Sequence, residues 1–233
     1  MKRLLLFDVD GTLVYSLRRD SQAFAKLFKE RYGHDFPSID WEHYPHVSDT
    51  TIFGHAYYEC IGKWPSQEER NVFKLEFIKA LKVNRQRTPE HFNEIPGASQ
   101  LIANLIQKKE FDVAIATGGW EGPARVKLNH VNIQFDSKVL VGADGKPTRE
   151  KILGEAIEKA KRVNPLLKDV VYIGDAIWDV RTTRNMNLPL VGIRHKGDAD
   201  YLHNAGVTTV IRNYIDEDAF YAAVENARPP EKK

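Results

Sequence analysis

The chain has 233 residues, and its composition, 42% hydrophobic and 28% charged, is that of an ordinary globular protein. Thirty-four basic residues against 32 acidic ones give a formal net charge of +2. The chain thus lacks the strong charge excess that is typical of many nucleic-acid-binding and membrane-surface proteins. The single cysteine, Cys60, excludes an internal disulfide framework and favours a reducing compartment. No apolar run approaches the length of a transmembrane helix. We therefore expect a cytoplasmic protein that binds neither nucleic acid nor membrane.

The first predicted element is a strand at 4–7, and no convincing strand follows it before residue 92. Helical patterns occupy 21–33 and 66–84 instead. This is much more chain than one crossover helix needs, so we predict a helical subdomain inserted after the first strand. The predicted domains are a core domain of residues 1–14 and 93–233 and a helical cap subdomain of residues 15–92.

Strands and helices alternate in the rest of the chain. Helical patterns at 99–109 and 151–161 carry apolar residues on one face. The apolar runs around them are nearly continuous, which is typical of strands buried on both faces of a parallel sheet. We therefore predict an α/β fold with a doubly wound, Rossmann-like parallel sheet. The remaining predicted strands lie at 113–117, 138–142, 170–174, 189–193 and 208–211.

Polar clusters follow several of these strands. Open parallel sheets bind their ligands beyond the carboxyl ends of the strands, so we expect the clusters to form one site. A cationic loop, GKPTREK at 145–151, lies between the third and fourth strands. The clusters are Asp8, Asp10, Gly11 and Thr12 after the first strand, Thr117, Gly118 and Gly119 after the second, and Asp175 and Asp179 after the fourth.

The charges of this site predict a metal and an anion. Several carboxylates in one crevice would raise one another's pKa values and destabilise the fold, unless a bound cation offsets their mutual repulsion. Mg²⁺ suits this place because it takes oxygen ligands and keeps positions for water and substrate oxygens. The backbone amides of the glycines and the Thr117 hydroxyl suit an anion. Carboxylates, a hard metal, an anion cradle and a cation together favour phosphoryl transfer.

These motifs resemble those of the haloacid dehalogenase (HAD) superfamily of phosphotransferases with an aspartate nucleophile. DVDGTL at 8–13 is similar to the first motif, ATGG at 116–119 to the second and GDAIWD at 174–179 to the fourth. The third motif is a lysine or arginine ahead of a helix. The resemblance covers the whole chain, since motif order, spacing and a helical (C1-type) cap after the first motif match, as in phosphoglycolate phosphatases.

The resemblance implies a role for each acidic residue. Asp8 would be the nucleophile that forms an aspartyl-phosphate, and Asp10 would be the general acid and base. Mg²⁺ would lie between the Asp8 carboxylate, the backbone carbonyl of Asp10 and Asp175. Asp179 would support the metal ligands or orient the cation.

The third-motif cation has more than one candidate in the sequence. Lys146, in a GKP that looks like the common family form, is favoured, and Arg149, nearer the helix start, is the second candidate. Lys151 is expected to be a solvated helix residue.

The resemblance also suggests how the substrate is held. The Thr117 hydroxyl and the Gly118 N–H would donate to the phosphoryl oxygens. Arg18, just past the first strand, would reach an anionic leaving group, and a solvated helix face is the alternative for it. In the cap, Ser48 or Asp49 is expected to cap a helix whose start either faces the substrate or simply packs.

The leading functional hypothesis is a Mg²⁺-dependent phosphatase, a phosphoric monoester hydrolase acting on a small phosphorylated metabolite, phosphoglycolate-like or a sugar phosphate. A phosphomutase of the β-phosphoglucomutase type shares every core residue, so the motifs leave it open. A phosphonate hydrolase would need a cap lysine, and Lys26, Lys29 and Lys63 qualify by residue type alone. Asp10 argues against a dehalogenase, which lacks the second carboxylate of the first motif, and the intact motifs argue against a non-catalytic binding module.

Overall fold

The computed structural model of the protein describes residues 2–16 and 18–232, and its strands form a large parallel sheet and a small antiparallel pair. The strands are β1 (Lys2–Phe7), β2 (Val14–Tyr15), β3 (Asn93–Glu94), β4 (Phe111–Ala116), β5 (Leu140–Val141), β6 (Leu167–Gly174), β7 (Leu190–Ile193) and β8 (Thr209–Ile211). The large sheet has the order β5-β4-β1-β6-β7-β8, and every neighbouring pair is parallel. The predicted α/β fold with a Rossmann-like parallel sheet is confirmed.

The helices either flank this sheet or form an insert between β2 and β3. The helices of the insert are α1 (Arg18–Tyr32), α2 (Asp49–Ile61) and α3 (Gln67–Arg87). The helices that follow are α4 (Ala98–Lys108), α5 (Glu121–His130), α6 (Arg149–Val163), α7 (Ile177–Asn185), α8 (Asp200–His203) and α9 (Glu217–Asn226).

The continuous apolar run of β1 follows from its central place in the sheet. β1 pairs with β4 on one edge and β6 on the other. Successive side chains of a strand point to opposite faces, so Leu4 and Leu6 pack into one core cluster and Leu5 and Phe7 into the other. Both faces are therefore closed to polar side chains, and the first acidic residue comes only where the strand ends.

The observed strands differ from the predicted ones mainly at their ends. β6 begins at Leu167 rather than at residue 170. β5 is reduced to Leu140–Val141, because the Asp136 carboxylate accepts the N–H of Lys138 and holds residues 137–139 in a 3₁₀ turn. Such side-chain caps compete locally with strand pairing.

The helical insert leaves and re-enters the core through β2 and β3, which the sequence did not predict. Val14 pairs with Glu94 and Tyr15 with Asn93 in an antiparallel register. Strands of two residues are too short to give a periodic pattern, which explains why they were missed. The predicted domain limits, 1–14 with 93–233 and 15–92, stay predictions, and residues 1, 17 and 233 of those ranges lie outside the described residues.

Aromatic side chains join the insert to the core. Trp120 lies at the start of α5 and is buried, and its ring stacks on Phe24 of α1 with ring centroids 5.9 Å apart. Phe53 and Phe73, from α2 and α3, contact the same indole edge-on. One apolar cluster thus runs from the sheet into the insert. No helix in 2–16 or 18–232 is long and apolar enough to cross a membrane.

Candidate active site

Asp8 is the first side chain beyond the buried part of β1. Its N–H donates to the Ile173 carbonyl of β6 at 2.9 Å, so the pairing of β1 with β6 extends to this residue and fixes it. Carboxylate oxygen Oδ2 accepts from Nη2 of Arg149 at 3.1 Å. Oδ1 is buried and has no hydrogen-bond partner among the described residues. A buried polar atom without a partner is costly in free energy, so this oxygen indicates a place for a ligand or a reacting group.

Arg149 brings positive charge to this carboxylate. It is the first residue of α6, which the Thr148 hydroxyl caps. Its Nη2 also donates to the Tyr172 hydroxyl at 2.8 Å and to Oδ1 of Asp179 at 2.5 Å. Helical side chains lean toward the helix N-terminus, so the first residue of α6 can reach across the carboxyl edge of the sheet.

Lys146, the cation favoured from the sequence, lies apart from the carboxylate cluster. Its Nζ pairs with Glu155 of α6 at 3.0 Å and donates to the Asp144 carbonyl at 3.1 Å. The preference for Lys146 is therefore corrected, because the structure gives the place beside Asp8 to Arg149. Lys151 is exposed on α6, as the sequence suggested.

Asp179 is fully buried, and protein groups satisfy both of its carboxylate oxygens. Oδ1 accepts from Arg149 and from the Tyr172 hydroxyl, the latter at 3.0 Å. Oδ2 accepts the N–H groups of Asp175 and Ala176, both at 3.1 Å, at the start of α7. The two roles expected for Asp179 were support of the metal ligands and orientation of the cation. This arrangement suits both, since Asp179 binds the Arg149 guanidinium and the backbone N–H of Asp175.

Asp175 and Gly11 lie in direct contact where the loops after β6 and β1 meet. Gly11 has a φ of +80°, and a Cβ built on it would lie 2.0 Å from Oδ2 of Asp175. Only glycine accommodates both this backbone conformation and this approach. The glycine of the first motif thus makes room for the carboxylate of the fourth motif.

Asp10 points toward a lysine that the sequence analysis did not single out. Nζ of Lys127, on α5, donates to the two carboxylate oxygens of Asp10 at 2.8 and 2.6 Å. Lys127 is buried, and it shares the inner face of α5 with Pro123, Ala124 and Leu128. A lysine in an apolar stripe directly after the second motif is the signal that would have identified it.

The charge pairing continues from Lys127 into the insert. Its Nζ lies 3.7 Å from Oδ2 of Asp20, on α1. Arg85, on α3, makes a bidentate contact with Asp20, in which Nη1 donates to Oδ1 and Nη2 to Oδ2, each at 3.0 Å. The pKa of Asp20 is lowered, because Lys127, Arg85 and the Ser16 hydroxyl together outweigh the effect of burial. Charged side chains are thus paired from Asp10 through Lys127 and Asp20 to Arg85 on α3 of the insert.

The start of α2 docks on the loop of the second motif. Asp49 donates its N–H to the Gly118 carbonyl at 2.8 Å, and its Oδ2 accepts the N–H of Trp120 at 2.8 Å. Ser48 caps α2 and donates to the Pro147 carbonyl of the third-motif loop at 2.9 Å. Both predicted capping residues therefore lie where the insert covers the sheet edge.

Thr117 and Gly118 close the loop between β4 and α5. The Thr117 hydroxyl accepts the N–H of Gly119 at 3.1 Å, which turns the loop sharply after the strand. A Cβ on Gly118 would lie 2.4 Å from Nη1 of Arg149. The second-motif loop and the third-motif cation are therefore packed against each other.

These groups line one pocket, with a volume of about 370 Å³, between the sheet edge and the insert. Lys146 and Asp179 are absent from its wall. Trp178 of the fourth motif lines it, whereas Trp120 packs in the aromatic cluster. The sequence-predicted residues that line the pocket are Asp8, Asp10, Gly11, Arg18, Ser48, Asp49, Thr117, Gly118, Gly119, Arg149 and Asp175. The lining residues that were not predicted include Asp20, Lys127, Arg194, His195 and Lys196.

The cluster of carboxylates at this edge of the sheet fits a divalent cation. One oxygen from each of Asp8, Asp175 and Asp179 lies within 4.8 Å of the other two. Burial raises the pKa of Asp8 to about 7, and neighbouring carboxylates add to the rise while Arg149 opposes it. Burial, together with the carboxylates of Asp179 and Asp8, raises the pKa of Asp175 well above its usual range. A hard cation would stabilise the ionised forms of both carboxylates.

A family model described as haloacid dehalogenase-like hydrolase matches residues 5–193. The match spans well over half of the chain, from β1 to the end of β7, and includes all four motifs. The chain therefore belongs to the haloacid dehalogenase-like hydrolase family, and the predicted family is confirmed.

Individual relatives agree with this assignment. The chain is 29% identical to glycerol-1-phosphate phosphohydrolase 1 of Saccharomyces cerevisiae over 219 residues, which cover 90% of this chain and 81% of the relative. A hydrolase from Pseudomonas syringae has a TM-score of 0.65 at 20% identity and covers 96% of this chain and 99% of its own. An archaeal β-phosphoglucomutase from a Pyrococcus species has a TM-score of 0.52 at 16% identity, covering 96% and 99%. The two solved structures show a common fold.

Proposed function

We propose that this protein is a Mg²⁺-dependent phosphatase that hydrolyses a small phosphorylated metabolite, phosphoglycolate-like or a sugar phosphate, through an aspartyl-phosphate intermediate. Its membership of the hydrolase family and its identity to a glycerol-1-phosphate phosphohydrolase support a phosphoric monoester as the substrate class. The expected cytoplasmic location is part of the same proposal.

The observation that carries the proposal is the free oxygen of Asp8. Oδ1 is buried, has no partner among the described residues, and belongs to a side chain that lines the pocket together with Thr117 and Gly118. A desolvated carboxylate oxygen beside groups that can hold phosphoryl oxygens has the surroundings of a nucleophile.

In the first step, Oδ1 of Asp8 attacks the phosphorus atom. A bond from this oxygen to phosphorus forms, and the bond from phosphorus to the substrate's alcohol oxygen breaks. Arg149 stays bound to Oδ2, so it holds the carboxylate in place and offsets negative charge on the phosphoryl group. The Thr117 hydroxyl and the Gly118 N–H donate to the phosphoryl oxygens.

Asp10 transfers the proton in both steps. Its carboxyl protonates the departing alcohol oxygen, and its carboxylate then takes a proton from the water that attacks the aspartyl-phosphate. Release of phosphate restores the Asp8 carboxylate. Lys127 contacts both Asp10 oxygens and so fixes the direction of this carboxylate.

Asp8 and Asp175 are the side chains that would hold Mg²⁺, and the family resemblance adds the backbone carbonyl of Asp10. When bound, the ion supplies positive charge that neutralises these carboxylates and polarises the phosphoryl group. Asp179 would not bind the ion itself but accepts hydrogen bonds from Arg149 and from the backbone N–H of Asp175, and so orients both residues.

Phosphonate hydrolysis receives no support from the cap lysines. Lys26 and Lys29 pair with Glu30 and Asp35 on the outside of the insert, and neither they nor Lys63 line the pocket. A phosphomutase shares the core residues, but the likeness to a β-phosphoglucomutase concerns the fold alone. The phosphohydrolase relative favours transfer to water.

The test is Mg²⁺-dependent release of phosphate from an aryl phosphate and then from a panel of phosphorylated metabolites. We expect turnover that chelation of Mg²⁺ removes and that Asp8→Asn abolishes. Asp169→Asn is the matched control, because Asp169 is exposed at the opposite end of β6. A wild-type protein without turnover, or an Asp8→Asn variant with full turnover, contradicts the proposal. Isomer formation from a sugar phosphate without net phosphate release indicates the mutase instead.

A further inference from the structure

Three cationic side chains of the pocket lack a carboxylate partner. Arg194 and Lys196 lie in the loop after β7, and Arg18 opens α1, and all three line the pocket that contains Asp8. Within residues 2–16 and 18–232, no carboxylate oxygen lies within 4.0 Å of their charged nitrogens. The function proposed so far uses none of them.

The other cations of the pocket are already neutralised. Lys127 contacts Asp10 at 2.6 Å, and Arg149 contacts Asp8 at 3.1 Å. Arg194 and Lys196, in the loop after β7, therefore form a separate positive region of the pocket, which we call the β7 rim, and Arg18 of α1 lines the same pocket.

The sheet order sets the position of the rim relative to the nucleophile. At the carboxyl edge, Thr117 follows β4, Asp8 follows β1, Asp175 follows β6 and Arg194 follows β7, in that spatial order. At the usual strand spacing the loop after β7 lies roughly 10 Å from the end of β1. The β7 rim thus lies on the opposite side of Asp8 from the loop of Thr117 and Gly118, so it can contact a part of the substrate other than the phosphoryl group.

Aromatic rings hold two of these cations without neutralising them. Nζ of Lys196 lies 4.2 Å from the ring centroid of Tyr15, and the guanidinium carbon of Arg194 lies 4.5 Å from that of Tyr201. Tyr15 belongs to β2 and itself lines the pocket. A cation held on a ring keeps its full charge and loses less freedom when an anion binds.

We propose that the β7 rim binds a second anionic group, a carboxylate or a second phosphate, on the alcohol part of the substrate. The proposal rests on the phosphatase function and narrows it to substrates whose alcohol product is itself an anion. Arginine and lysine donate charge-assisted hydrogen bonds to either group. A plain polyol phosphate has only neutral hydroxyl groups beyond its phosphate, so it lacks a second anion for these cations to bind.

The experiment compares kcat/KM within matched substrate pairs that differ only in the second anion. One pair is 2-phosphoglycolate and 2-hydroxyethyl phosphate, and the other is propane-1,3-diol bisphosphate and 3-hydroxypropyl phosphate. We expect the anionic member of at least one pair to be favoured by about tenfold or more, the factor given by 1.4 kcal/mol of binding free energy. The pair with the larger ratio distinguishes a carboxylate from a phosphate.

Variants then locate the preference. Arg194→Met with Lys196→Met should bring the ratio close to one, whereas Arg194→Lys with Lys196→Arg should retain most of it. Arg162→Met with Lys168→Met is the matched control, because it removes the same charges from exposed positions outside the pocket wall. Circular dichroism and the thermal midpoint check that each variant is folded.

The outcomes separate the two proposals. No turnover of any phosphate by the wild-type protein overturns both. Turnover with equal kcat/KM within both pairs overturns the β7 rim and leaves the phosphatase standing. A preference that survives in the folded Arg194→Met, Lys196→Met variant also overturns the rim, since the second anion is then bound elsewhere.

Discussion

Replacement of Arg149 by alanine, compared with the same change at Lys146, tests the position of the third-motif cation. Arg149 is buried and makes contacts to Asp8 at 3.1 Å and Asp179 at 2.5 Å. Removing one partner of a buried ion pair costs about 3–5 kcal/mol in the free energy of unfolding. Arg149→Ala should therefore be destabilised by that order and lose about 10²–10³-fold in kcat, the usual effect of removing one group that stabilises charge in the transition state.

Lys146→Ala should behave differently, because its contact is a surface ion pair. Its partner Glu155 keeps a second pairing with Lys159 at 3.0 Å. The expected loss is about 0.2–1 kcal/mol in unfolding free energy, with kcat within a few-fold of wild type. Urea unfolding followed by tryptophan fluorescence gives the stabilities, and aryl phosphate turnover with Mg²⁺ gives kcat. If Arg149→Ala does not fold, Arg149→Lys, which keeps the positive charge, replaces it in the comparison of kcat and unfolding free energy with Lys146→Ala. Equal losses in the two alanine variants, or a larger loss of turnover in Lys146→Ala, would refute the reasoning.

Three further variants test other contacts of the site. Asp8→Asn should lose about 10³-fold or more in kcat, since the amide of asparagine is a poor nucleophile. Thermal unfolding should show that this variant is folded, and substantial residual turnover would exclude the aspartyl-phosphate intermediate. Lys127→Met removes the buried ammonium that contacts Asp10 at 2.6 Å, and it should cost about 1–3 kcal/mol in urea unfolding, because Asp10 is partly exposed and Asp20 keeps its contact with Arg85. Wild-type stability of this variant would show that the pair contributes little. Gly11→Ala should lower the unfolding free energy by about 1–2 kcal/mol, because an alanine is strained at a φ of +80°. Its Cβ should also displace Asp175 and so weaken Mg²⁺ binding, which calorimetry measures; an unchanged Mg²⁺ affinity would place the ion elsewhere.

The sequence alone determined the fold class and the location of the site. A parallel strand covered on both faces has to be apolar throughout, so runs such as LLLF predict central strands without knowledge of the pairing. Acidic residues are then confined to strand ends, and the carboxyl ends of parallel strands share one edge. For this reason Asp8 and Asp175, far apart in the chain, were predicted to meet, and an oxygen of each lies within 4.8 Å of the other.

Only the tertiary structure showed which of Lys146 and Arg149 lies beside Asp8. The family form GKP favoured Lys146 in the sequence, but which of two cations three residues apart reaches the carboxylates depends on where α6 begins. Pairing with Glu155 turns Lys146 away, and the first turn of α6 directs Arg149 to the carboxylates. Lys127 likewise acquires its place only when α5 packs against the insert, since its partners Asp10 and Asp20 come from the loop after β1 and from α1. Local sequence patterns record how a segment is buried, whereas contacts between distant segments depend on helix direction and on how the insert docks on the sheet.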